Sequence, residues 1–242
     1  MQLPALEQTR LVVIRSAQGI PDAPPRIRSH TDNQLGAGGR DQLARLVRRL
    51  RRTGELSDAT RLRSSNSRRA KETAEGLSAV LPGLRPEPDC GFCDPHAAEA
   101  EGREVEEWLA TDARTRVEKY TPYLPKVPGD GESYTVGLQR AARAIIEELL
   151  ANEGGCVVLV AGGLVLQATF WQFLGLPFHA NYFSFAQAPT AITEWTLTGW
   201  LPGAGQPRAR LDRFNDHAHL MGHRDGFGPA AEHDPDDPTP AS

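Results

Sequence analysis

Three stretches of the chain carry residues that could do chemistry. The first is an apolar run, Leu11-Val12-Val13-Ile14, followed by Arg15, Ser16 and Ala17. A buried strand that ends on a charged residue delivers that charge to the rim of a sheet, where open α/β folds bind their ligands. A guanidinium there reads carboxylate or phosphate bidentately. The second is Cys156–Ala161, a fully apolar run that turns through Gly162-Gly163 into the apolar stretch Leu164–Leu174. Strand, glycine turn and helix in that order put a helix N-terminus, and its unpaired N–H groups, at a sheet rim. The third is Cys90-Gly91-Phe92-Cys93-Asp94-Pro95-His96, which gathers thiols, a carboxylate and an imidazole. Its Cys-x-x-Cys has no second ligand pair of the kind a structural zinc site wants, and Cys156 falls in a core strand. The reading is incidental thiols and no metal.

The elements that must position these residues follow from pattern. Residues 11–15 and 156–161 read as buried strands, and Asp58–Ser64 as a third. Gly38-Gly39 precede an amphipathic helix in which Leu43, Leu46, Val47 and Leu50 recur at three- and four-residue spacing. Arg45, Arg48, Arg49 and Arg51 take its other positions and read as a solvated face. Ser65, Asn66 and Ser67 offer N-cap chemistry for a helix over Arg68–Leu81. Helices are expected over Gly102–Thr111 and Ser133–Asn152, the second stopped by Gly154-Gly155. Tyr182–Gln187 and Ala191–Leu197 suggest a hairpin-like pair, with Ala209–Phe214 as a further strand. Phe170, Trp171, Phe173, Phe178, Tyr182, Phe183 and Phe185 read as core and sheet packing. His217, His219, His223 and His233 fall near the tail and read as solvent-exposed. Gly36-Ala37-Gly38-Gly39 lacks the spacing and preceding strand of a dinucleotide or P-loop fingerprint.

Strands alternating with helices predict an α/β fold, a three-layer α/β/α sandwich on a mostly parallel sheet. One domain is expected over residues 1–221, and a flexible polar tail over 222–242. Of 242 residues, 39% are hydrophobic and 24% charged, which fits a globular chain. A formal net charge of −4 gives no basic field for nucleic acid. No apolar run approaches the roughly 20 residues of a membrane span. Met1–Arg10 has no basic leader, and three cysteines do not make a disulfide framework. These features lead to the expectation of a cytoplasmic protein and set no oligomeric state.

The order of these segments resembles the histidine phosphatase superfamily, with its phosphoglycerate-mutase-like fold, over about residues 10–198. Arg15-Ser16-Ala17 stands where the family has Arg-His-Gly after its first strand. Asp32 through Gln42 is similar to the family's D-x-x-Leu-Thr-x-x-Gly-x-x-Gln segment. Ser64 through Ala74 matches Ser-Ser-x-x-x-Arg-Ala-x-x-Thr-Ala, and Gly131-Glu132-Ser133 matches the Gly-Glu-Ser that opens a long helix. Leu159 through Ala168 aligns without gaps on Val-Val-Ser-His-Gly-Gly-Val-Ile-Arg-Ala.

The resemblance implies a phosphorylated nucleophilic histidine, a second histidine and two arginines around the phosphoryl group, and a carboxylic acid that protonates the leaving oxygen. The arginines persist as Arg15 and Arg69. The nucleophile position holds Ser16, and the second histidine position holds Gly162, or Ala161 in a register shifted by one. The acid falls to Asp94, with His96 beside it as a second acid–base candidate. His30, after Arg26 and Arg28, lies on the loop that contacts substrate in the family. A serine is a weak nucleophile without an adjacent base, so the family mechanism does not run on these residues. Arg15, Arg69 and the N-terminus after Gly162-Gly163 would still bind an anion, in a pocket enlarged by the loss of two imidazoles.

Three readings remain open. One is an unconventional enzyme that binds an anionic or polar organic substrate and uses cofactor-free acid–base chemistry of the elimination, isomerisation or cyclisation type. Such chemistry would suit specialised metabolism. Another is an inactive pseudophosphatase that binds a phosphorylated ligand or a partner protein. The third is residual phosphomonoesterase activity with Ser16 or another residue as nucleophile.

Overall fold

The computed structural model describes residues 8–28, 34–111, 126–127, 131–176, 185–200 and 207–221. Its main sheet has six strands: β1 (Thr9–Arg15), β2 (Arg61–Ser64), β3 (Glu87–Pro88), β6 (Cys156–Ala161), β7 (Ile192–Trp200) and β8 (Pro207–Asp216). They lie in the order β3-β2-β6-β1-β7-β8. β3, β2, β6 and β1 are parallel, and β7 and β8 run antiparallel at one side. The short strands β4 (Lys126–Val127) and β5 (Gly131–Glu132) pair with each other. The helices are α1 (Ala37–Thr53), α2 (Arg68–Leu77), α3 (Val105–Thr111), α4 (Tyr134–Ala151) and α5 (Gly163–Leu174).

The side-chain period of two explains why the central strands are apolar throughout. Leu11 and Val13 of β1, with Val157, Leu159 and Ala161 of β6, face one core together with α4 and α5. Val12 and Ile14, with Val158 and Val160, face the other, together with α1 and α2. The expected three-layer α/β/α sandwich with a mostly parallel sheet is therefore present. No described helix is long and apolar enough to cross a membrane.

Several expectations need correction. Residues 185–188 form no strand. The backbone N–H and C=O of Phe185 pair with the Gln167 side chain at 3.1 Å each, and its ring stacks on Phe170. A side-chain amide thus takes the place of a strand ladder, and the hairpin partner of β7 is β8. Arg49 does not lie on a solvated face. It is half-buried and bonds Glu55 and Asp216. His217 and His219 are half-buried too, and His219 Nε2 lies 2.8 Å from Thr190 Oγ1. The expected tail, residues 222–242, lies outside the described residues, as do Phe178, Tyr182, Phe183, His223 and His233.

Candidate functional site

The C-terminal ends of β2, β6 and β1 make one rim. Arg15 is in register with Ala161, and Ser64 with Val160. Past the strands, the Ser16 N–H donates to Ala161 O at 2.9 Å and the Ser65 N–H to Val160 O at 2.9 Å. Arg15 is half-buried, and its Nη1 donates to the Gln187 carbonyl, which fixes one arm of the guanidinium fork. Ser16 is buried, and among the described residues no base hydrogen-bonds its hydroxyl.

Helix α2 starts at this rim for a local reason. Ser67, in extended conformation, accepts from the Ala70 N–H and caps the helix. That places half-buried Arg69 in the first turn. One turn on, Thr73 Oγ1 donates to Arg69 O at 2.7 Å and accepts from the Ala17 N–H at 3.1 Å. Thr73 thus ties the Arg69 turn to the end of β1.

Asp94 reaches the rim from the other side. A Cβ built on Gly162 would lie 2.6 Å from both carboxylate oxygens of Asp94. The carboxylate therefore packs directly on the glycine that ends β6 and caps α5. At this point a carboxylate, not open space, lies against the bare backbone. Among the described residues a Cβ on Gly163 would meet nothing within 4 Å.

Arg140 of α4 holds the segment that delivers Asp94. Residues Cys90–Phe92 form a 3₁₀ turn capped by Asp89, which accepts from the Gly91 N–H at 2.7 Å. The Arg140 guanidinium donates to the carbonyls of Cys90, Gly91, Cys93 and Asp94 at 2.8–3.2 Å. It also donates to Glu132, at 2.7 Å for its shortest contact. Burial pushes the Glu132 carboxyl up, but Arg140 and the His96 N–H outweigh it and hold the group below its ordinary range. His96 follows this turn in the same segment. Its Nε2 lies 3.4 Å from Cys90 Sγ and its Nδ1 3.9 Å from Glu132 Oε1.

The structure thus brings Arg15, Ser16, Asp94, Gly162 and Gly163 to one rim, with the Arg69 turn tied to it through Thr73. His96 is held against Cys90 and Glu132. His30 lies outside the described residues. Among the described residues no cluster of three or more His, Cys, Asp or Glu side chains is arranged to hold a metal ion. Sequence reasoning missed Arg140, and met Thr73 only as part of a matched motif, without its tie to β1. The Gly131-Glu132-Ser133 motif was visible, but the arginine eight residues beyond Glu132 gave no sign that it gathers four carbonyls.

The family model described as histidine phosphatase superfamily (branch 1) matches residues 11–202. The chain belongs to the histidine phosphatase superfamily. Phosphoglycerate mutase-like protein 4 of Arabidopsis thaliana is 25% identical over 170 residues, covering 68% of this chain and 71% of that protein. Among solved structures, Bacillus stearothermophilus YhfR superposes with a TM-score of 0.72 at 24% identity, covering 87% of this chain and 98% of that one. A mycobacterial glucosyl-3-phosphoglycerate phosphatase in complex with inorganic phosphate superposes with a TM-score of 0.65 at 27% identity, covering 87% and 99%. Superfamily membership and fold match what the motifs implied.

Proposed function

We propose that this chain is an unconventional enzyme of the histidine phosphatase fold. It binds a small anionic or polar organic substrate through Arg15 and Arg69, and works by cofactor-free acid–base chemistry with Asp94 as the proton-transferring group. The observation that carries the reading is the Asp94 carboxylate packed on Gly162. A carboxylate beside the second-histidine position repels a phosphoryl dianion where an imidazole would hold it. It also offers a proton acceptor and donor 2.6 Å from the Cβ position of that residue. The α5 N-terminus offsets part of the negative charge. Ser16 adds a small polar wall, and the chemistry suited to this set is elimination, isomerisation or cyclisation.

A second reading, a pseudophosphatase that binds phosphorylated ligands without turnover, is favoured by the buried Ser16 hydroxyl, to which no base among the described residues is hydrogen-bonded. One experiment separates the readings. The full chain is incubated in heavy water with a panel of small carboxylated and phosphorylated compounds, and proton NMR reads loss of carbon-bound proton signals. Loss with at least one compound, abolished by Asp94→Asn, is the expected result. Binding of phosphate esters with no exchange in any compound would favour the pseudophosphatase. Rapid phosphate release from a chromogenic phosphomonoester, abolished by Arg15→Ala, would restore a phosphatase mechanism and overturn the proposal.

A further inference from the structure

The turn that carries Asp94 holds two thiols in contact. Cys90 and Cys93 close a 3₁₀ turn, with the Cys93 N–H donating to Cys90 O at 3.2 Å, and their sulfurs are 2.7 Å apart. Cys90 is partly exposed and Cys93 is buried. His96 Nε2 stands 3.4 Å from Cys90 Sγ, and Glu132 faces the other ring nitrogen. The order is thiol, imidazole, carboxylate, the arrangement in which a positioned base activates a sulfur nucleophile. Arg140 pins both cysteine carbonyls, so the sulfurs keep their approach without further backbone ordering.

We propose that Cys90 and Cys93 are a redox-active pair that a hydroperoxide oxidises to an intramolecular disulfide. His96 takes the Cys90 proton, and the sulfur attacks the near oxygen of the peroxide. The O–O bond breaks, and the departing oxygen is protonated to water, or to an alcohol from an organic hydroperoxide. Cys90 becomes a sulfenic acid. Cys93 sulfur then attacks Cys90 sulfur, the S–O bond breaks, and the hydroxyl leaves as water with the Cys93 proton. Two thiols have lost two electrons and the peroxide has gained them. Burial pushes the Cys93 thiol up, so it stays protonated and inert until the sulfenic acid forms beside it. Cys156, buried in β6 with its thiol pushed up to about 11, takes no part. The pair stands independently of the acid–base role given to Asp94, and its test needs no substrate.

The reduced full-length protein is treated with hydrogen peroxide, quenched in denaturant with N-ethylmaleimide, and mapped by peptide mass spectrometry. The expected product has Cys90 and Cys93 joined, with loss of two hydrogens and no maleimide on either, while Cys156 is labelled. A thiol reductant reverses it. Cys93→Ser is expected to accumulate a Cys90 sulfenic acid that dimedone captures. His96→Gln is expected to slow disulfide formation on the order of tenfold, less than a base gives an alcohol, because a thiol ionises in part unaided. Maleimide on both cysteines after peroxide treatment would overturn the proposal. So would sulfinic acid at Cys90 without a disulfide, or a disulfide that forms faster in unfolded chain than in folded protein.

Discussion

Replacing Gly162 by alanine tests the contact on which the proposed chemistry rests. The new Cβ would sit 2.6 Å from both Asp94 oxygens and 2.9 Å from its Cγ. Ordinary contact needs roughly 3.4–4 Å, so the carboxylate must retreat by about 1 Å. Arg140 holds the Asp94 carbonyl at 3.2 Å, so relief comes from side-chain rotation rather than backbone movement. Overpacking of this size costs about 1–3 kcal/mol. Exchange of glycine for alanine at an N-cap adds up to about 1 kcal/mol of its own. A double-mutant cycle isolates the first part. In an Asp94→Ala background, Gly162→Ala should cost only the cap contribution, giving a coupling energy of about 1–3 kcal/mol. Equilibrium urea unfolding of the four proteins measures it, and thermal melts should show about 2–4 °C per kcal/mol. Additivity within about 0.5 kcal/mol would mean that the carboxylate does not press on Gly162 in solution, and the placement of Asp94 at the rim would fail with it.

Neighbouring glycines of α1 should respond in opposite directions. A Cβ on Gly39 would lie 1.9 Å from Gln18 O, so Gly39→Ala should destabilise by about 2–3 kcal/mol or more. Gly38 has its nearest neighbour at 3.8 Å, so Gly38→Ala should stabilise by about 0.5–1 kcal/mol, and chemical denaturation reads both. Arg140→Met removes the donor shared by four carbonyls and Glu132, and should cost about 2–4 kcal/mol by the same assay. Because Glu132 is held below its ordinary value, its contribution is present above that value and fades as pH falls. The Arg140→Met variant should therefore lose part of the acid sensitivity of wild type. Burial and the Arg49 charge bring His219 from 6.5 down to about 4. Between those values the unfolded chain binds more protons, so stability is full above about 6.5 and declines as pH drops toward 4. Thermal melts of wild type should show that decline, and His219→Gln should flatten it.

The framework was legible because its causes are local. Leu11–Ile14 and Cys156–Ala161 are apolar at every position, and only a strand buried on both faces needs that. The cap at Ser67 and the helix it starts follow from residue types a few positions apart. What escaped depends on side chains that satisfy distant backbone. Phe185 looked like part of a strand because the amide that holds it, on Gln167, is in a helix. Arg49 and His219 looked exposed because Asp216 and Thr190, which draw them inward, lie on distant segments. Gly162 gave no sign that the Asp94 carboxylate packs on it. The segment that carries Asp94 is held from a separate helix, where Arg140 donates to the Asp94 carbonyl.

The central position of β1 has a consequence for how the chain is made. Its partners are β6, in register from Arg10 with Cys156, and β7, in register from Thr9 with Leu197. Ribosomes add about 5–20 residues per second, so β1 waits roughly 10–40 s after its own synthesis before both partners exist. Until Cys156–Ala161 emerges, Leu11, Val12, Val13 and Ile14 lack a ladder on either side, and until β7 emerges they lack one side of it. The nascent chain thus offers an unpaired apolar β1 strand to aggregation and to chaperone capture until β6 and β7 have emerged.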